Sequence, residues 1–226
     1  DWDRPLDIAL IMVEQSKLDP ATVRAFRERI PLLEEQLGRE FAKYRTGIRL
    51  PVRFYVYGPV TGPTPPQPSE SEAIMDRLVE SVARLVYARK LDRLAGVPLF
   101  GFDSRIYVAA RPPATNVMQF VEGFSEQGGR HGFVDVELDA SMVDFALFVT
   151  VHELFHTLGA TDKYGRNGNS VATGLVNPSQ RPLFPQLQAD VMARGRPVAP
   201  DVDEPPTLLR ELGVGADTAR ELHWAL

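Results

Sequence analysis

Residues 151–164 read Val151-His152-Glu153-Leu154-Phe155-His156-Thr157-Leu158-Gly159-Ala160-Thr161-Asp162-Lys163-Tyr164, and this stretch governs how the rest of the chain is read. The run from about Ser141 to Leu158 predicts a helix, and Phe145, Phe148, Val149, Leu154 and Phe155 predict that it is largely buried. Positions four apart share a helical face, so His152 and His156 can present two imidazoles to one metal ion. Glu153 adjoins the first of them, and its carboxylate can reach a water beside the ion without binding the ion itself. A Gly at 159 lets the helix end in a left-handed residue and the chain reverse. Asp162 then returns towards the same ion as an oxygen ligand. Zinc needs three protein ligands and an open position for hydrolytic chemistry. A helical histidine is ordinarily structural or solvated. Here two of the chain's four histidines are used at metal-ligand spacing, and with Glu153 they would be costly inside a buried helix without a partner.

Upstream, Asp7 to Val13 is a short apolar run that reads as a buried strand. Asp19-Pro20 opens a long amphipathic helix whose face is Val23, Phe26, Ile30, Leu33, Leu37, Phe41 and Tyr44, with Pro31 expected to kink or divide it. Arg49 to Tyr57 reads as a strand. Residues 58–68, rich in Pro and Gly, read as a mobile loop. Ser69 and Glu72 have capping-box spacing before a second helix marked by Ile74, Leu78, Val82 and Leu85, which ends near Gly96. Strands follow at Ser104–Ala110 and at Phe133–Leu138, the latter with Asp135 and Glu137 on a wet face. Beyond Gly159 the chain is irregular to about Pro206. A helical stretch from Thr207 to Trp224, broken near Gly213–Gly215, closes it. The expected class is α/β (α+β): a mixed twisted sheet with long helices and a small, irregular C-terminal part. The expected division is 1–159, with the metal-site helix, and 160–226, with the third ligand.

The chain has 226 residues, 44% of them apolar, enough for one sizeable core. Its formal charge of −5 provides no basic field for a dedicated nucleic-acid binder or an anionic-membrane binder. No apolar run is long enough to span a bilayer. Cysteine is absent, which excludes thiol nucleophiles, cysteine-ligated zinc and disulfide scaffolds. The chain opens Asp1-Trp2-Asp3 without Met, as expected of a processed or trimmed form. A secreted or cell-envelope location is expected, with a cytoplasmic one as the alternative, and a monomer is expected.

The string His152-Glu153-x-x-His156-x-x-Gly159-x-x-Asp162 resembles the elongated zinc motif of the metzincin metallopeptidases. Most of these carry His at the last position, and Asp there resembles snapalysin-type members. The resemblance implies a zincin-like sheet, a catalytic Zn²⁺ held by His152, His156 and Asp162, and a Met-containing turn beneath the metal, which Met192 fits. It implies a zinc-dependent endopeptidase that cleaves peptide or protein substrates through a zinc-activated water, with Glu153 as general base. It further implies a substrate lying antiparallel to residues 133–138 and an S1′ pocket from residues 163–191, where Leu175, Val176, Leu183, Phe184 and Leu187 offer an apolar wall. Tyr164 is a candidate oxyanion donor, with Tyr107 and Tyr57 as others. Glu204, Glu211 and Glu221 are alternative third ligands of the kind gluzincins use, without distinctive spacing. Asn167-Gly168-Asn169 reads as a turn rather than a calcium loop. The rival readings are an inactive zinc-fold binding module and a zinc hydrolase acting on something other than peptides.

Overall fold

Ile8 to Val13 are fully buried because strand β1 (Leu6–Glu14) lies inside a sheet covered by helices on both faces. The apolar run is continuous rather than alternating for that reason. The computed structural model describes residues 2–67, 74–114, 121–125, 127–165 and 168–225. After β1 come α1 (Pro20–Phe41), β2 (Val52–Thr61), α2 (Ile74–Ala95), β3 (Ser104–Arg111), β4 (Val121–Ser125), β5 (His131–Glu137) and α3 (Val143–Thr157). The sheet order is β2-β1-β3-β5-β4. β2, β1, β3 and β5 are parallel, and β4 runs antiparallel along β5, with Gly123 opposite Val134. This is the mixed α/β architecture that the sequence predicts.

Alternate residues of β1 feed two cores. Ile8, Leu10 and Met12 join α1 and α3 on one face, while Ala9, Ile11 and Val13 meet Tyr87, Ala88 and Leu91 of α2 on the other. Asp19 caps α1, accepting from the Ala21 amide at 2.9 Å, with Pro20 in the first turn. Pro31 does not divide the helix, which runs unbroken past it with Pro31 on the exposed side.

Three expectations are corrected, and one helix stands with an unexpected face. Residues 58–61 belong to β2 and pair with β1 through Val60 and Thr61, so the loop begins at Gly62. The stripe of α2 that marks it as a helix, Leu78, Val82 and Leu85, points outward. Strand β5 has no wet face: Asp135 and Glu137 are buried, held by Arg111 at 2.7 and 3.7 Å. The terminal stretch is a single turn at Leu209–Glu211, a short strand at Leu212–Gly213 and one short helix, α4 (Ala216–Glu221). The capping box at Ser69 and Glu72 lies outside the described residues, as does Asn167. No helix among the described residues is long and apolar enough to cross a membrane.

The C-terminal third has little regular structure, and buried polar groups organise it. Two short ladders form, Ala189–Asp190 with Leu212–Gly213 and Arg196–Ala199 with Val202–Glu204. Asp190 is fully buried. It accepts from the Met192 amide at 2.8 Å, the Thr218 hydroxyl at 2.9 Å and the Gly215 amide at 2.5 Å, joining the turn at 190–193 to the start of α4. Both carboxyl oxygens face donors. In Asp190→Asn the amide N–H₂ must therefore meet one of those donors in either orientation. The expected loss is about 2–4 kcal/mol of folding stability, read from urea unfolding of the metal-free protein. A midpoint unchanged from wild type would refute this role.

Candidate metal centre

Helix α3 ends as the sequence predicts. Gly159 has φ +103°, its amide bonds the His156 carbonyl at 3.0 Å, and the Ala160 amide bonds the Phe155 carbonyl at 3.0 Å. This paired closure of the last turn reverses the chain in two residues. Residues 160–164 then run back along the helix, bringing Asp162 to the two histidines. The Oδ1 of Asp162 lies 3.3 Å from His152 Nε2 and 3.1 Å from His156 Nε2, and the two Nε2 atoms are 3.1 Å apart. Among the described residues this is the one cluster of three such side chains able to hold a metal.

The outer nitrogens fix the tautomers. His152 Nδ1 is 2.8 Å from the Val191 carbonyl, and His156 Nδ1 is 2.9 Å from the Ala160 carbonyl. A carbonyl only accepts, so each Nδ1 carries its proton and donates. Neutral imidazoles then turn bare Nε2 lone pairs towards each other and towards a carboxylate, an arrangement that needs a cation among them. A tetrahedral ion with bonds of about 2.0–2.1 Å holds its ligand atoms about 3.3 Å apart, and the observed triangle has edges of that length. The donor set therefore fits zinc.

The electrostatics express the same demand for positive charge. Burial disfavours a charged His156, yet the Asp162 carboxylate, the Ala160 carbonyl and Glu153 outweigh it, and its pKa is raised. Burial also resists charge on Asp162, but the His152 and His156 rings at its Oδ1 prevail and hold its carboxyl well below the usual carboxylate range, as a proton there takes the place of a cation.

Glu153 stands beside the triangle without joining it, its carboxyl against Ser125 and Gly123 of β4. It is buried, which raises its pKa against the opposing pull of His152 and Ser125. The Ser125 hydroxyl donates to its Oε2 at 2.6 Å. Gly123 makes room for it: a Cβ there would meet the Glu153 carboxyl, with Cδ at 2.8 Å. Gly123 and Ser125 both lie on β4, and the motif gives no sign of either. A Gly and a Ser flanking an aromatic is a weak signal in the sequence.

A cleft of about 390 Å³ opens over this group, lined by Gly123, Ser125, His152, Glu153, His156, Asp162 and Tyr164. A second hollow of about 330 Å³ shares His152, Glu153 and Tyr164 with it and is lined further by Val121, Phe145, Phe148, Val149 and Arg194. The apolar wall thus comes from β4 and α3. The expected residues Leu175, Val176, Leu183, Phe184 and Leu187 line neither hollow, and Leu187 is exposed. Tyr164 lines both, donates to Asp162 and stacks on His152 at 6.4 Å. Burial, followed by Asp162, pushes its hydroxyl up to about 12. Tyr107 is buried, donating to Asp92 at 2.9 Å, and Tyr57 packs on Phe102; neither reaches the cleft.

The strand expected to border the substrate is not an edge. Strand β5 is paired on both sides, with β3 and with β4, and among the described residues β4 is the border strand. The alternative third ligands are engaged elsewhere. Glu204 pairs with Arg196 at 3.0 Å, and Glu211 accepts from the Thr207 and Leu208 amides. Glu221 binds the Thr161 amide and the Lys163 ammonium behind the Asp162 loop. Met192 is buried, and its carbonyl accepts from the Lys163 amide at 2.8 Å.

No protein-family model and no curated protein sequence matches the chain. Among solved structures, it is similar to the crystal structure of archaemetzincin from Methanopyrus kandleri, at 16% identity and a TM-score of 0.37, over 72% of this chain and 78% of that one.

Proposed function

We propose that this chain is a zinc-dependent endopeptidase of the metzincin type. The observation that carries the reading is the convergence of two tautomer-fixed Nε2 atoms and one carboxylate oxygen at 3.1–3.3 Å, beside a buried glutamate that does not join them. His152, His156 and Asp162 would hold the ion. Bound Zn²⁺ would supply a Lewis acid that polarises the scissile carbonyl and acidifies a water. Glu153 takes the proton of the attacking water and delivers it to the leaving amine. Burial raises its pKa, which makes the carboxylate a stronger base, and the Ser125 hydroxyl holds its carboxyl in one orientation. Tyr164 lines the same cleft, and its hydroxyl, on turning from Asp162, is the donor for the developing oxyanion. Val191 orients His152 from the turn that carries Met192, which we read as the Met turn. In this reading residues 1–159 carry the helix and residues 160–226 supply the third ligand and that turn.

Peptide is favoured as substrate by strand β4. Its outer edge borders both hollows, and no described strand pairs with it. An extended peptide laid along that edge would gain backbone hydrogen bonds and pass over the triangle. The test is hydrolysis of casein and of a mixed peptide library by protein of known metal content. One equivalent of zinc per chain, cleavage lost with a chelator and cleavage restored by zinc are expected. Less than about a tenth of an equivalent, with none regained on adding zinc, would falsify the metal site. Full zinc with ester cleavage alone would make the chain a non-peptidase hydrolase, and full zinc with no hydrolysis a binding module.

A further inference from the structure

The short segment bearing Asp162 is gripped on both sides by one side chain from a distant helix. Glu221, in the last turn of α4, accepts from the Thr161 amide at 2.9 Å and the Thr161 hydroxyl at 2.8 Å. Its Oε1 also accepts from the Lys163 ammonium at 2.6 Å. Lys163, itself buried, donates on to the Thr161 hydroxyl at 2.7 Å and carbonyl at 3.1 Å. Residues 161 and 163 are thereby tied to each other and to α4, with Asp162 between them. The Lys163 backbone is fixed as well, its amide to Met192 and its carbonyl to Val171. The opposite end of α4 is anchored by Asp190 through Gly215 and Thr218.

We infer that Glu221, working through Lys163 and Thr161, is a positioning residue that presents the Asp162 carboxylate to the metal. The inference rests on Asp162 being the third ligand. A free tripeptide after Gly159 would sample many orientations of residue 162. The clamp removes that freedom before the ion arrives, so binding does not bear the ordering cost. Partners behind a metal ligand act in this way, and losing one typically weakens metal binding about 10–100-fold.

The test measures zinc affinity by chelator competition and the visible spectrum of the Co²⁺ form, in the 226-residue chain. Glu221→Gln keeps size and shape but loses the charge and puts an N–H₂ among three donors. It is expected to weaken zinc binding about 10–100-fold and to change the Co²⁺ spectrum, in metal-free protein that melts at a lower temperature but still unfolds cooperatively. Thr161→Val, a milder lesion, should weaken binding less, in the same direction. The decisive arm repeats Glu221→Gln in an Asp162→Ala background. If Glu221 acts through Asp162, it costs nothing further there. An equal loss in both backgrounds, or wild-type affinity and spectrum in Glu221→Gln, overturns the inference while leaving the peptidase reading intact. Asp162→Ala binding zinc as tightly as wild type would instead remove its premise.

Discussion

Replacing Glu153 by Gln leaves the zinc content unchanged and lowers peptide hydrolysis by about two to four orders of magnitude, the usual worth of a positioned general base. The substitution preserves shape in a site with no room to spare, since Gly123 lies directly against the carboxyl. Ser125 can still donate to the remaining carbonyl oxygen, so the side chain stays where it is. Only the capacity to take a proton goes. Because Glu153 lies outside the Nε2–Nε2–Oδ1 triangle, metal binding is not part of the loss. Metal analysis and kinetics on the same preparation separate the two effects. A folded variant that has lost its zinc would make Glu153 a ligand and refute the mechanism.

Asp162→Ala weakens zinc binding by more than about a hundredfold, beyond the loss expected for any partner behind a ligand, and hydrolysis falls with it. The remaining two imidazoles cannot complete the set of three that a catalytic zinc site requires. Alanine variants of Glu204 and Glu211 should bind zinc as wild type does, because both carboxylates are committed to their own neighbours. Asp162→His, the residue that most of the resembling family carries at this place, should retain the metal. Chelator competition across this series checks the assignment. A full-affinity Asp162→Ala would dismiss Asp162 as third ligand.

The parts of the site legible in the sequence are those that local geometry fixes. His152 and His156 share a face because any α-helix puts residues four apart there. Gly159 takes the left-handed conformation that a Cβ disfavours, and three residues later the chain has no way to have left the neighbourhood of the helix end. The apolar run of β1 reads as a buried strand for a similar reason, and its continuity fits the cover that the helices give it on both faces.

The remainder depends on contacts between segments far apart in the chain. Ser125 and Gly123 enclose Glu153 only because β4 folds back antiparallel on β5, a pairing that five weakly patterned residues do not advertise. That pairing moved the border of the sheet from residues 133–138 to 121–125 and took the acidic residues of β5 into ion pairs with Arg111. The outward stripe of α2 shows that amphipathic spacing identifies a helix without saying which face the sheet will cover. Glu221 looked in the sequence like a rival ligand, and the tertiary structure set it behind Asp162 instead, 60 residues from Thr161. The helix, the chain reversal and the three candidate ligands are legible in residues 151–164 alone, because hydrogen bonds within a few residues dictate the helix and its end. Which groups brace those ligands, where the base is buried and where a substrate could lie were decided only when distant strands and helices packed, since such contacts carry no period that a linear pattern can record.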